Sequence, residues 1–266
     1  MRTMIGGGAV ALVVAGLALS VPGPAEAAGR TPWHVTIYPD RTTLTVGQKV
    51  WLTGRVAKAA SGRLVRLYER SSTTQPWHYQ RNALVHRDGS YTTYDKPTTN
   101  RQRQYRVVMP KSKHHRKGAS RTVVIDVYKW TSLTTLAAVN DQDFSPEPSV
   151  AMNGVSYPSS LEAAIFHYPG APTSQSVEFN VNHGCTAFRG TFGLSDDSVA
   201  GSQATVTAGA DGTPWFGQSF GVGESTANTV TWDTAPLKLR FTSVSTVDGA
   251  DGLGAVGTPE VYCELH

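Results

Sequence analysis

Charge is divided unevenly along this chain, and that division constrains its fold more than any other feature. The stretch from Arg30 to Lys129 contains 20 Lys and Arg against 5 Asp and Glu, a net charge of +15. The stretch from Trp130 to His266 contains 3 against 14, a net of −11, so the overall net charge of +4 hides two oppositely charged halves. Because a single core more often mixes the two signs, the sequence predicts two domains.

The first 27 residues have the pattern of a secretory signal peptide. Arg2 provides a positive start, Ile5 to Leu19 is an apolar run without a charge, and Ala25-Glu26-Ala27 matches an A-x-A cleavage site. An uncleaved membrane-spanning helix would need about 20 apolar residues, which is more than this run offers. The sequence therefore predicts residues 1–27 as a signal peptide and a product that is secreted, extracellular or associated with the cell wall.

Short β-branched and aromatic runs separated by turn signals fill the basic half. In Val65-Arg66-Leu67-Tyr68-Glu69-Arg70 the apolar and charged residues alternate, which is typical of a strand with one buried face. Similar runs lie at residues 35–38, 49–56, 90–94, 104–108 and 121–128, with Asp88-Gly89 among the turns. Six or seven strands over about 100 residues predict an immunoglobulin-like (Ig-like) β-sandwich at residues 32–129.

This half resembles the bacterial Ig-like modules of secreted actinobacterial proteins. The segments that carry the resemblance are residues 52–56, 65–70, Trp77, 88–91, 105–108 and 120–124. The resemblance implies a spacer or adhesion module without chemistry of its own.

The acidic half, residues 133–264, is rich in Gly, Ser, Thr and Ala, and apolar and polar residues alternate in parts of it. Val177, Phe179 and Val181 share one face of a predicted strand, and further strands are predicted at residues 187–194, 203–208, 228–232 and 237–242. No window of about 12 residues carries a helical stripe. The sequence therefore predicts an all-β chain, in which the Ig-like sandwich is followed by a second sandwich of jelly-roll type.

Five segments of the acidic half look like the NPCBM modules, carbohydrate-binding domains that occur beside glycoside hydrolases. They are residues 153–161, 177–181, 188–197, 211–215 and 237–261, the last including Asp248-Gly249-Ala250-Asp251-Gly252. The resemblance implies a galactose-binding-like jelly roll that binds sugars, often together with a structural calcium ion.

Cys185 and Cys263 are the only two cysteines, and both lie in the acidic half. In an exported chain they predict one disulfide within that domain. The alternative is a reactive or metal-binding pair, but no Cys-x-x-Cys or His spacing accompanies them.

Aromatic and acidic residues of the acidic half are the candidate ligand contacts. Trp215, expected in a loop, together with Tyr157 and Trp232 could stack on sugar rings, whereas packing of the same rings under loops is the alternative. Asp196 and Asp197 end a predicted strand, and Asp248 and Asp251 lie in a Gly-rich loop. Carboxylates in turns suit calcium, although Asp is also common in turns for purely structural reasons.

A run of cations in the basic half is the candidate site for an anionic envelope polymer. Lys111, Lys113, Arg116 and Lys117 lie within eight residues on a predicted hairpin loop. A solvated surface loop is the alternative.

Catalysis has little support in this sequence. Gly217-Gln218-Ser219-Phe220-Gly221 matches G-x-S-x-G, but the residues after it predict a strand where a nucleophile elbow needs a helix. We therefore expect a secreted, non-enzymatic protein of the cell envelope that binds an extracellular or cell-wall glycan and an anionic envelope polymer. The alternative is a structural or protein-interaction module whose sandwiches recognise no sugar.

Overall fold

The chain is almost entirely β-structure in a computed structural model that describes residues 30–164, 174–246 and 252–264. These residues contain no α-helix, and none of their helical turns is long and apolar enough to cross a membrane. The strands are β1 Tyr38–Pro39, β2 Thr43–Thr45, β3 Val50–Arg55, β4 Leu64–Arg70, β5 His78–Leu84, β6 Ser90–Asp95, β7 Arg103–Met109, β8 Gly118–Ala119, β9 Val123–Ser132, β10 Ala138–Gln142, β11 Phe144–Met152, β12 Val155–Ala163, β13 Ser174–Asn180, β14 Cys185–Leu194, β15 Gln203–Ala210, β16 Thr213–Gly221, β17 Ser225–Thr231, β18 Lys238–Ser245 and β19 Gly254–Cys263. Two 3₁₀ turns occupy Lys58–Ala60 and Leu133–Thr135.

The basic half forms a sandwich of two sheets. One sheet has the strand order β1-β3-β6, and the other has the order β2-β9-β7-β4-β5, with β2 parallel to β9 and β8 paired to β7. Alternation places Val50 and Leu52 of β3 in the core while Trp51 faces outwards. Gly54 also faces inwards. A Cβ at this position would overlap the Tyr91 hydroxyl and the Thr36 carbonyl, so only glycine fits there.

The acidic half forms a second sandwich of two antiparallel sheets. Their orders are β10-β13-β18-β15-β16 and β11-β12-β19-β14-β17. Between the sheets lies a phenylalanine-rich core, in which Phe179, Phe188, Phe192 and Phe241 are fully buried. An aromatic core of this kind buries a large apolar area in each side chain, and this is the main source of the domain's stability.

The predicted all-β chain with two sandwiches is confirmed. The finer assignments to Ig-like and NPCBM-like modules, and the domain limits 32–129 and 133–264, stay predictions. The predicted signal peptide, residues 1–27, lies outside the described residues.

Strand β9 runs past the predicted end of the basic domain and joins the two sandwiches. Its last four residues, Lys129–Ser132, pair antiparallel with residues 260–263 at the end of β19. The Tyr262 ring stacks on Tyr128 at 5.2 Å between centroids, and its hydroxyl lies 2.6 Å from the hydroxyl of Thr45. Backbone pairing and side-chain contacts thus cross the junction together, and we call residues 129–132 and 260–263 the seam.

The predicted disulfide is confirmed as Cys185–Cys263, which links β14 to β19. The two residues face each other as cross-strand partners with their Cα atoms 4.0 Å apart. The side-chain amide of Asn100, from the basic sandwich, donates a hydrogen bond to the Cys263 carbonyl. The covalent link therefore fixes the end of β19 at the position where it meets the other domain.

Reduction of this disulfide should destabilise the jelly roll. Its sequence separation of 78 residues corresponds to at most about 4.5 kcal/mol in the loop-entropy model. Urea unfolding of the full chain should shift to lower urea in reductant, and the Cys185→Ala/Cys263→Ala variant should match the reduced protein. Reductant should not move the curve of that variant further, and coincident curves for oxidised and reduced wild type would contradict the expectation.

Glu264 follows the seam and is only 6% exposed. Burial and, to a smaller extent, the nearby charge of Asp126 raise the pKa of Glu264 to about 7, although a backbone hydrogen bond at Val127 opposes the shift. One carboxylate oxygen of Glu264 is buried without a hydrogen-bond partner. The folded chain therefore favours the protonated acid at this position.

The raised pKa predicts that Glu264 makes stability depend on pH. Its contribution is fully present below the unfolded pKa near 4.5 and is lost as pH rises through the folded value of about 7. Glu264→Gln should unfold at the same urea concentration as wild type near pH 4.5 but should be more stable at pH 8, by on the order of 2 kcal/mol. The exposed Glu224→Gln serves as the control for loss of charge, and equal behaviour of both variants would contradict the assignment.

Candidate functional site

Two edge strands of the jelly roll, β16 and β17, lie beside each other on one side of the sandwich. Among the described residues, β16 pairs only with β15 and β17 pairs only with β14. The side chains of Gln218 and Thr226 approach to 3.5 Å between the two strands. We call this side of the domain the aromatic edge, because half-buried aromatic rings fill the space between the two sheets there.

The aromatic edge is built around Trp215. The pairing of β15 with β16 shifts register between Ala208 and Gly209, so that Trp215 is an extra residue opposite this step. Such a bulge re-aims side chains, and Trp215 and its neighbour Phe216 both pack against the core. Trp215 was expected in a loop, and this was wrong because the strand continues through Pro214 on the outer edge of the sheet, where a missing N–H is tolerated.

Trp232, the residue directly after β17, completes the edge. Its ring lies 6.2 Å from that of Trp215 in an edge-to-face arrangement, and Trp215 in turn lies 5.1 Å from the buried Phe188. Both tryptophans are half-buried. The indole N–H of Trp215 is enclosed without a hydrogen-bond partner. The structure thus brings together two of the three predicted aromatic ligand residues.

The two strands of the aromatic edge are polar and uncharged, and the exposed Glu224 and Asp233 flank β17 and Trp232. Strands β16 and β17 contain Gln, Asn, Ser and Thr but no Lys, Arg, Asp, Glu or His. Ser219, the centre of the G-x-S-x-G match, lies within β16, and its hydroxyl is 2.7 Å from that of Thr205. This geometry is not a nucleophile elbow, which needs a sharp turn between a strand and a helix.

Tyr157, the third predicted aromatic, lies elsewhere. It packs against a small cluster of Val150, Met152 and Ala255. A Cβ at Gly257 would overlap the Tyr157 ring, so the ring covers the backbone of β19 at that point. It makes no ring contact with Trp215 or Trp232 within the described part of the chain.

Asp196 has a structural partner. Its carboxylate accepts hydrogen bonds from the backbone N–H groups of Asn153 and Gly154, at 2.8 and 2.9 Å. Both of these residues have positive φ, at 52° and 72°, in the turn between β11 and β12. Asp196 therefore stabilises a tight hairpin turn whose amides would otherwise rely on water.

Asp197 is exposed and lies close to the half-buried Glu162. Burial raises the pKa of Glu162, as do the charges of Asp197 and Glu147, while a hydrogen bond with Ser195 lowers it. No three His, Cys, Asp or Glu of the described residues are grouped to hold a metal ion. Asp248 and Asp251 lie outside those residues, so the calcium site stays a prediction.

The predicted basic loop follows β7. Lys111, Lys113, Arg116 and Lys117 are all exposed. Arg116 is also structural, because its side chain donates to the Arg30 carbonyl at 2.6 Å and its backbone pairs with the start of the domain. Within residues 30–164, 174–246 and 252–264, no carboxylate forms an ion pair with any of the four side chains.

Two stacks of cations and aromatic rings on the basic sandwich were missed by the sequence analysis. In the first, Lys49 and Arg81 lie 4.8 and 3.8 Å from the ring centroid of Tyr94, beside Trp51. The second is built on Trp77, with Arg70 and Arg106 near its ring. The alternation of Arg66, Tyr68 and Arg70 predicted one solvated face of β4. It did not show which side chains of the neighbouring strands lie on that face, because those strands come from distant parts of the chain.

No family model matches this chain, and no curated protein matches it. Similar solved structures include a family 61 carbohydrate-binding module in complex with β-1,4-galactotriose, with 10% identity over 52% of this chain and 88% of that one and a TM-score of 0.25. Another is the tandem family 22 carbohydrate-binding module of Paenibacillus barcinonensis Xyn10C, with 9% identity over 87% and 93% of the two chains and a TM-score of 0.30. Allantoicase from Saccharomyces cerevisiae is similar at 8% identity over 85% and 79%, with a TM-score of 0.29. TM-scores this low assign neither a family nor a function.

Proposed function

We propose that this chain is an extracellular, non-enzymatic glycan-binding protein of the cell envelope, with its sugar site at the aromatic edge. The observation that carries the proposal is the pair of half-buried tryptophans, Trp215 and Trp232, between two strands with uncharged polar side chains. Aromatic rings cover the apolar faces of sugar rings, and amide and hydroxyl groups bond their hydroxyls. The two strands carry no charged side chain and are flanked by the exposed carboxylates of Glu224 and Asp233, which would repel an anion, so the ligand at this edge is a neutral sugar.

Trp232 is the stacking platform in this proposal, and Trp215 supports it from behind. Trp215 contacts the rings of Phe188, Phe192 and Phe241, so it is tied into the core. Within the described part of the chain, the only aromatic ring that Trp232 contacts is that of Trp215, and it directly follows the edge strand β17. A half-buried ring that is already held by its neighbours can offer its exposed part to a ligand without having to become ordered first.

The basic sandwich adds adhesion to an anionic polymer. Its net charge of +15 produces a strong positive potential. The loop residues Lys111, Lys113, Arg116 and Lys117 have no acidic partner in the described structure, which leaves their charges available for such a polymer. An envelope location fits the predicted signal peptide, and the disulfide Cys185–Cys263 suits an oxidising compartment.

The alternative is a protein-interaction module, and the same two strands favour it. Edge strands usually carry charges or proline to prevent pairing with other chains. Strand β17 has neither, and β16 has only Pro214 near its start. In that case a strand of another protein would add to the edge through backbone hydrogen bonds.

Substitution of Trp232 tests the proposal directly. On an array of neutral polysaccharides, Trp232→Ala should weaken binding of the full chain at least tenfold, because the loss of a stacking ring costs about 1.4 kcal/mol or more. Gln218→Ala should weaken it several-fold, since it removes a hydrogen-bonding group from the aromatic edge.

Trp51→Ala is the matched control, because Trp51 is an exposed tryptophan of the other sandwich, 42% accessible. It should leave binding of neutral glycans unchanged. Binding that is equal for all glycans, and equal in Trp232→Ala and Trp51→Ala, would contradict the sugar site and favour the strand-pairing alternative.

A further inference from the structure

Trp77 holds two guanidinium groups close to one indole ring. The Cζ atoms of Arg70 and Arg106 lie 4.4 and 4.2 Å from its centroid. Cation–π contacts of this kind fix the position of an arginine while leaving some of its N–H donors free. We call Arg70, Trp77 and Arg106 the arginine clamp.

The clamp lies on the outward face of the larger sheet of the basic sandwich. Strands β4 and β7 pair so that Tyr68 is opposite Arg106, and Arg106 lies 5.9 Å from the Tyr68 ring. On the next strand, the ring of Tyr79 is 6.0 Å from that of Tyr68 and is 52% exposed. The exposed ring of Tyr79 therefore lies one ring beyond Tyr68, on the same face of the sheet as the clamp.

The clamp is preorganised and has no counter-charge. Arg70 donates to the side chain of Gln104 at 2.9 Å and to the Thr73 carbonyl at 3.0 Å. The neighbouring acid, Glu69, is already engaged by Arg103 and by Gln80. Among the described residues, neither Arg70 nor Arg106 forms an ion pair with a carboxylate.

The surroundings of Arg106 favour the binding of an anion. Its Nε–H is buried without a partner. Burial, and secondly the charge of Arg70, lower the pKa of Arg106. Two like charges held together beside unpaired donors would gain from a bound carboxylate more than an isolated surface arginine would.

We propose that the arginine clamp is a binding site for an acidic sugar, with the carboxylate of a uronic acid residue on Arg70 and Arg106 and its ring against Tyr79. This rests on the proposed adhesion of the basic sandwich to an anionic polymer and names the chemistry of the anion. The carboxylate and the apolar ring face of a uronic acid belong to one residue, which matches guanidinium groups and an exposed aromatic ring on one face of the sheet. A polyol phosphate has no ring to stack, and in a nucleotide the sugar separates the base from the phosphate.

Calorimetric titration of the full chain with a galacturonic acid hexamer tests the clamp. The acid should bind at least tenfold more tightly than its fully methyl-esterified form, because only the acid has the carboxylates. Arg70→Lys and Arg106→Lys keep the charge but lose the planar fork, and each should weaken binding about tenfold. Tyr79→Ala should weaken it several-fold, and because this ring is exposed the test does not depend on variants of the half-buried arginines.

The exposed Arg87→Lys is the matched control and should bind as wild type does. Equal binding of acid and ester, equal loss in Arg87→Lys, or tighter binding of a thymidine hexanucleotide would each overturn the clamp. If only the combined replacement of Lys111, Lys113, Arg116 and Lys117 by Ser abolishes binding, anionic adhesion stands and the clamp fails. If no polyanion binds at all, both proposals fail.

Discussion

Backbone pairing at the seam holds the two sandwiches in one arrangement. Residues 129–132 of β9 and 260–263 of β19 form a continuous ladder, so the larger sheet of the basic sandwich runs into one sheet of the jelly roll. The disulfide at Cys263 fixes the same end of β19. Because pairing of this kind satisfies buried backbone groups on both strands, separating the domains would expose them.

The seam places the arginine clamp and the β17 side of the aromatic edge on one hydrogen-bonded sheet. Going outwards from β19 and β9, the pairing leads through β14 to β17 at the aromatic edge and through β7 to β4 at the arginine clamp. The tight contact of Arg189 with Trp130, 4.3 Å from the ring centroid, adds a side-chain link between the two halves. A proposed site for a neutral sugar and a proposed site for an acidic sugar, joined through one sheet, suit a glycan that contains both kinds of sugar.

The sequence predicted the features that depend on local periodicity. Alternation in β4, β13 and β18 identified strands with one buried face, and the absence of helical periodicity led to an all-β fold. The disulfide followed from there being only two cysteines. The alternation did not predict β5, β11, β12 or β16. Pro146 interrupts the pattern in β11, Pro158 in β12 and Pro214 in β16, whereas β5 is an edge strand with mostly polar side chains.

The sites were harder to predict because they depend on long-range register. Trp215 reaches the core only through a bulge opposite Ala208 and Gly209, and although a glycine within a strand can mark a bulge, it does not show which residue of the paired strand is the extra one. The arginine clamp joins strands that are paired at Tyr68 and Arg106, 38 positions apart in the sequence. Asp196 was predicted as a ligand because a single sequence does not show that its oxygens are occupied by the turn at Asn153 and Gly154.

Amide hydrogen exchange of the full chain tests the seam most directly. The alternate amides of residues 129–132 that point at β19, and the amides of residues 260–263, should exchange as slowly as those of β14, because these N–H groups belong to a ladder between two packed domains. Exchange there as fast as in the exposed loop of Lys111 to Lys117 would contradict a continuous sheet, and the two sandwiches would then be independent units on a linker.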